Sequence, residues 1–183
     1  MNCSREKKNL STRRQVFHGA VVDLGIEAVE LPDGRVLDLE VVRHPGGAAA
    51  VALDPEGRVC LLRQYRHAAG GWLWEVPAGK LDPGEGPLET ARRELEEEAG
   101  VRASRWDPLG SILSTPGFCD EEIFLYLARD LGQGTARPGP HEMIEVHWVP
   151  FGEALARAAA GELRDAKTVV ALLRAHHALG GAG

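Results

Sequence analysis

Apolar positions along this chain fall into short Val/Ile-rich runs near the start and helical stripes later, with Gly and Pro marking the changes. Runs at 16–23, 26–31 and 36–42, with the turn Pro32-Asp33-Gly34 before the third, predict three strands. A unit this small cannot bury a core alone and must pack on the rest of the chain or on a second copy. Runs at 46–53 and 59–65 flank Asp54-Pro55-Glu56-Gly57 and predict a hairpin. A short strand at 72–76 ends at Pro77-Ala78-Gly79, and strands are expected at 109–114, 123–128 and 144–149, with a Gly/Pro-rich loop over 133–140. Helices are expected at 87–99, 151–160 and 166–178. The first is the best punctuated, with Pro87 in its opening turn and Gly100 just past its end. Many strands with few, scattered helices predict an α+β class with a mixed sheet.

The length, 183 residues, suits one core with a small appendage, and 44% apolar with 26% charged residues is an ordinary globular mixture. No apolar run approaches the ~20 residues that span a bilayer. The first twelve residues are polar and basic with no apolar stretch behind them, so no signal peptide is expected. Lys and Arg number 21 against 27 Asp and Glu, a net charge of −6, which argues against a nucleic-acid partner. An acidic protein can still handle an anionic substrate if metal ions reverse the local sign. Cys3, Cys60 and Cys119 are odd in number and widely spaced, so neither a disulfide framework nor a zinc site is expected, and the reading is cytoplasmic.

On the helix at 87–99, Leu88, Ala91, Leu95 and Ala99 form one apolar stripe at ~100° per residue. Glu94 and Glu98 lie together on its border, with Glu97 beside them. Charge runs on helices are usually solvated faces. Here, though, like charges four residues apart destabilise a helix by a few tenths of a kcal/mol, and anions near a helix C-terminus oppose the dipole. Clustered carboxylates are tolerated where a divalent cation neutralises them, and oxygen ligands suit Mg²⁺ or Mn²⁺.

The stretch Gly79-(5)-Glu85-(7)-Arg93-Glu94-Leu95-Glu96-Glu97-Glu98-Ala99-Gly100-Val101 matches the Nudix box, GX5EX7REUXEEXGU, at all nine specified positions. The chain therefore resembles the Nudix hydrolases. The resemblance implies a mixed β-sheet sandwiched between helices, and it implies metal ligation by Glu94, Glu97, Glu98 and the backbone carbonyl of Ala78. Glu97 and Glu98 are thereby catalytic as well. Metals so held bridge a diphosphate and a water. Gly79 and Gly100 are structural, and Arg93 can tie Glu85 and its loop to the helix.

Features outside the box resemble the ADP-ribose pyrophosphatase branch: Arg63-Gln64-Tyr65-Arg66, Trp74-Glu75-Val76-Pro77-Ala78-Gly79, Pro116 sixteen residues after Gly100, and the N-terminal β unit. That branch implies Mg²⁺-dependent hydrolysis of ADP-ribose or a related ADP-sugar to AMP and a sugar phosphate. It also implies a homodimer made through the N-terminal unit. The expected organisation is a tail at 1–13, a dimerising β unit at 14–45 and a Nudix domain at 46–183. The same resemblance places a water-activating glutamate at Glu142, with Glu145 as its competitor. Arg66 is a candidate for the diphosphate, its guanidinium fork matching phosphate oxygens, and otherwise an ordinary surface arginine. Glu40, Glu75, Lys80 and Phe118 are further candidates for substrate contacts. Other Nudix substrates, such as GDP-mannose or NADH, and a non-catalytic ADP-ribose sensor remain alternatives. The intact box carboxylates argue against the sensor.

Overall fold

A computed structural model describes residues 13–139 and 142–181, which divide into two units. The expected tail lies outside the described residues apart from Arg13, which opens the first strand.

The smaller unit comprises residues 13–44 and the loop Thr115–Glu121. Strands β1 (Arg13–His18), β2 (Asp23–Glu30) and β3 (Val36–Arg43) form an antiparallel sheet in that order. The run at 16–23 is not one strand, because the chain reverses at Gly19, whose N–H donates to the Val22 carbonyl at 2.8 Å. Glu27 is buried on β2 and accepts both Nη2 and Nε of Arg43, which also reaches Asp120. The 115–121 loop, expected within the 46–183 domain, joins this unit instead. Val42 N–H donates to Phe118 O at 2.7 Å, and Asp120 accepts His44 N–H at 2.8 Å. Backbone pairing and a buried charge cluster outweigh proximity in sequence.

In the larger unit, β4 (Gly47–Ala52), β7 (Ala78–Lys80), β8 (Val101–Leu113) and β9 (Glu122–Gln133) form a mixed sheet ordered β7-β4-β9-β8. Only β4 and β9 run parallel. Strands β5 (Arg58–Arg66), β6 (Gly71–Glu75) and β10 (Ile144–Pro150) form an antiparallel sheet ordered β10-β5-β6. Helices are α1 (Pro87–Ala99), α2 (Phe151–Ala159) and α3 (Ala166–Ala178). The expected hairpin between 46–53 and 59–65 does not form. Its turn is there, with Gly57 N–H on Asp54 O at 3.1 Å and Asp54 N–H on Arg58 O at 2.9 Å, but among the described residues the two strands pair only at the isolated Leu53–Val59 bridge. Each strand is central in its own sheet, so both its edges are taken by other partners.

Strand β4 explains how the site helix is seated. All six residues are buried, and the side chains alternate between two cores. Ala49 and Val51 pack with Leu172, Ala171 and Ala154, while Ala50 and Ala52 pack with Leu95 of α1. Alanines on both faces let α1 and α3 approach the sheet closely from opposite sides. Strands β8 and β9 run longer than their apolar runs, since their far ends carry Arg102, Arg105 and Arg129 on an open ladder.

Candidate active site

Helix α1 starts after Gly86, whose N–H is accepted by Glu89 at 2.9 Å, and stops at Gly100, whose left-handed φ of 67° lets its N–H reach Glu96 O. Ala91 and Leu95 are fully buried, so the helix is fixed in rotation and its carboxylates are set by packing. Glu98 falls on the buried side and is 3% exposed. Glu94 is mostly covered, and Glu97 projects further out.

Arg93 is the hub of the box. Its Nε and Nη2 grip Glu85 at 3.0 and 2.8 Å, its Nη2 also meets Lys80 O at 3.2 Å, and its Nη1 donates to Glu94 at 2.7 Å and Glu97 at 3.2 Å. The loop before the helix is thereby tied to the helix itself. The guanidinium, with help from the Thr90 hydroxyl, holds the Glu85 carboxyl down at about 2. At Gly79 a Cβ would fall on the Glu94 carboxylate, so any side chain there displaces Glu94.

Glu98 turns one oxygen to the backbone N–H of Ala78 at 2.8 Å. Burial pushes its carboxyl up to about 8, with the charges of Glu94 and Glu142 adding to the rise. Burial also raises Glu94, against the pull of Arg93. Among the described residues no three His, Cys, Asp or Glu side chains close on one point. Glu94 and Glu97 meet at Arg93 Nη1, while Glu98 faces Ala78. The donor set nonetheless fits a hard divalent cation. It is all oxygen, two of its carboxylates converge on one cationic nitrogen, and two are disfavoured as anions where they stand.

Glu142 follows the loop after β9 and accepts Gly139 N–H at 2.6 Å. It is exposed, and its charge is felt by both Glu94 and Glu98. Its neighbours Pro140 and His141 lie outside the described residues. Glu145 pairs across β10 and β5 with Arg63 at 3.3 Å, on the opposite strand face from Arg66.

Arg66 ends β5 and presents Nε and Nη2 to Glu75 of β6 at 2.9 and 3.0 Å. This revises the expectation for Glu75 as a substrate contact. It is 2% exposed, and both its oxygens are engaged by Arg66 and by Lys167 of α3. Lys80 is exposed on β7, and its side chain makes no ion pair among the described residues. Glu40 on β3, and Pro116 and Phe118 in the 115–121 loop, belong to the smaller unit. Sequence reasoning missed Lys167, Asp165 and Thr168. Lys167 and Thr168 stand 92 residues from the partners they hold, and no spacing pattern in the sequence relates them.

Comparison with known proteins identifies the family. The NUDIX domain family model matches residues 43–172. An ADP-ribose pyrophosphatase of Bacillus subtilis strain 168 is 38% identical over 171 residues, covering 92% of each chain. A methanol dehydrogenase activator of Bacillus methanolicus is 39% identical over 169 residues, covering 91% of each. The crystal structure of an ADP compounds hydrolase superposes with a TM-score of 0.78 over 95% of this chain and 97% of its own, at 20% identity, and so shares the fold. With the box complete on one loop and helix, and with matches spanning most of its length, the chain belongs to the Nudix hydrolase family.

Proposed function

We propose that this protein hydrolyses the diphosphate bond of ADP-ribose or a closely related ADP-sugar, releasing AMP and a sugar phosphate, with Mg²⁺ as its metal. The observation that carries the chemistry is the set of carboxylates on α1, where Glu98 is buried against the Ala78 N–H, Glu94 is mostly covered beside Gly79, and both feel the charge of Glu142. The substrate follows from relatives named for ADP-ribose at 38% and 40% identity over most of the chain.

Glu94, Glu97, Glu98 and the Ala78 carbonyl would hold the metal. When bound, a divalent cation neutralises the diphosphate and lowers the pKa of water towards neutrality. Arg66 has five N–H donors, of which Glu75 takes two, leaving three for phosphate oxygens. Glu142 stands at the end of a loop and accepts the proton of the attacking water. Arg93 keeps Glu94 and Glu97 aimed while securing the loop that carries Gly79. The enzyme works in the cytoplasm as a homodimer formed through the smaller unit, whose sheet exposes Val16, Phe17, Val36, Leu37 and Leu39.

The test is AMP or mononucleotide release with Mg²⁺ across ADP-ribose, ADP-glucose, GDP-mannose, NADH and the nucleoside triphosphates. ADP-ribose should lead by about tenfold or more in kcat/KM. A lead for GDP-mannose would keep the chemistry and discard the substrate. No turnover of any of them would overturn the reading.

A further inference from the structure

The first turn of α3 reaches across to the strand that carries the site. Lys167 is only 13% exposed, and its Nζ lies 2.5 Å from Glu75 Oε2 and 3.0 Å from Asp165 Oδ2. Thr168, fully buried, accepts the N–H of Val76 at 2.8 Å and donates its hydroxyl to Asp165 at 2.5 Å. Asp165 in turn caps α3 by accepting Thr168 N–H at 3.0 Å. Two successive residues, Glu75 and Val76, are thus gripped from one helix end, immediately ahead of Pro77 and Ala78.

A cation in the first turn of a helix opposes the dipole. Replacing a buried ion pair with well-packed apolar residues is often neutral or stabilising. Stability alone therefore gives little reason for a lysine here. The arrangement does have a consequence for Arg66. Glu75 is held on Oε1 by Arg66 Nε and on Oε2 by both Arg66 Nη2 and Lys167, which leaves the carboxylate one orientation and fixes the plane of the guanidinium. Lys167 also shares the charge of Glu75, so Arg66 is less fully neutralised and its free N–H groups attract an anion more strongly. Burial disfavours the Glu75 anion, yet the two cations keep its carboxyl below the usual range, so the cluster stays charged.

We propose that Lys167 is a positioning residue for substrate binding, setting Arg66 towards the diphosphate through Glu75. This rests on the proposed diphosphate chemistry and adds a determinant that lies outside the box and touches no substrate.

The test is a double-mutant cycle of Lys167→Met with Arg66→Ala, read as kcat and KM for Mg²⁺–ADP-ribose. Lys167→Met should lower kcat/KM by roughly 10- to 100-fold, mainly through KM. In the Arg66→Ala background the same change should cost less than about twofold. Equal losses in both backgrounds, or no loss in either, would overturn the proposal. If Lys167→Met does not fold, Lys167→Gln takes its place, since it keeps a hydrogen bond to Glu75 and removes only the charge. Titration of ADP-ribose in EDTA keeps this inference separate from the catalytic one. Weaker binding in Lys167→Met, absent in the Arg66→Ala background, supports positioning even if hydrolysis is not seen; unchanged binding overturns it.

Discussion

Glu75 and Glu98 are equally buried, at 2% and 3% exposed, in the same unit of the same protein, yet their carboxyls shift in opposite directions. Glu75 lies below the ordinary carboxylate range, because Arg66 and Lys167 more than offset its burial. Glu98 is pushed up to about 8 by burial and by its like-charged neighbours Glu94 and Glu142, against the Ala78 N–H, its one hydrogen-bond donor among the described residues, and the charge of Arg66. The first is a closed account of charge, complete within the chain. The second is an incomplete one, and a divalent cation is the partner that would complete it. Equal burial therefore separates a carboxylate that holds structure from one kept for a ligand.

The same substitution at the two positions should break in opposite ways. Glu98→Gln should lower kcat by on the order of 10³-fold, since a metal ligand contributes several kcal/mol of transition-state stabilisation. Its thermal midpoint should not fall, because burial disfavours the ionised carboxyl and a neutral amide can still accept the Ala78 N–H. Glu75→Gln should instead destabilise the fold by about 3 kcal/mol in denaturant titration, because buried cations lose their counter-charge. Steady-state kinetics and unfolding curves on the two variants decide the matter. A stable, inactive Glu75→Gln or an unstable Glu98→Gln would dissolve the distinction.

The same contrast separates what was legible in the sequence from what was not. The box residues lie within about two turns of helix and one loop, so spacing alone gathers Glu85, Arg93, Glu94, Glu97 and Glu98, and α1 begins and ends at the residues read from Pro87 and Gly100. The cluster around Glu75 joins β5, β6 and α3, which meet only after folding, and no spacing rule relates Glu75 to Lys167, 92 residues away. The false hairpin has a similar origin. A good turn at Asp54–Gly57 is a local signal, whereas the choice of sheet for β4 and β5 is decided by burial on both their faces. The 115–121 loop went to the unexpected unit because its anchors are backbone hydrogen bonds to Val42 and the Asp120 carboxylate on Arg43 and His44, partners more than 70 residues away that local pattern does not encode.

Acid should sharpen the comparison next. Glu85 belongs with Glu75 among the satisfied carboxylates, held at about 2 by Arg93 against an ordinary 4.5. A carboxyl lowered in the folded state contributes stability that is fully present above its unfolded pKa and is lost as pH falls towards the folded one. The wild-type denaturation midpoint should therefore decline between pH 4.5 and about 2, and the decline should be shallower in Glu85→Gln. Parallel pH profiles for the two chains would show that the Arg93 pair does not stabilise the fold. Kinetics at neutral pH should also suffer in Glu85→Gln, because Arg93 then loses the partner that aims it at Glu94 and Glu97.

The smallest effect concerns a thiol that sits beside this chemistry. Cys60 on β5 is fully buried, and its pKa is raised to about 12, first by burial and then by the charge of Glu98. Cys119, in the smaller unit, is partly exposed. Iodoacetamide at neutral pH should mark the Cys119 peptide and leave the Cys60 peptide unmodified until the chain opens, because the thiolate is the reactive form and a buried thiol supplies almost none. Labelling of Cys60 thus reports opening of the larger unit. Glu75→Gln should speed it in step with its loss of stability, while Glu98→Gln should leave it within about threefold of wild type, the removed charge acting only on the thiol's pKa. A large acceleration in Glu98→Gln would mean that Glu98 holds the fold together after all, and the two glutamates would then differ in their neighbours but not in their roles.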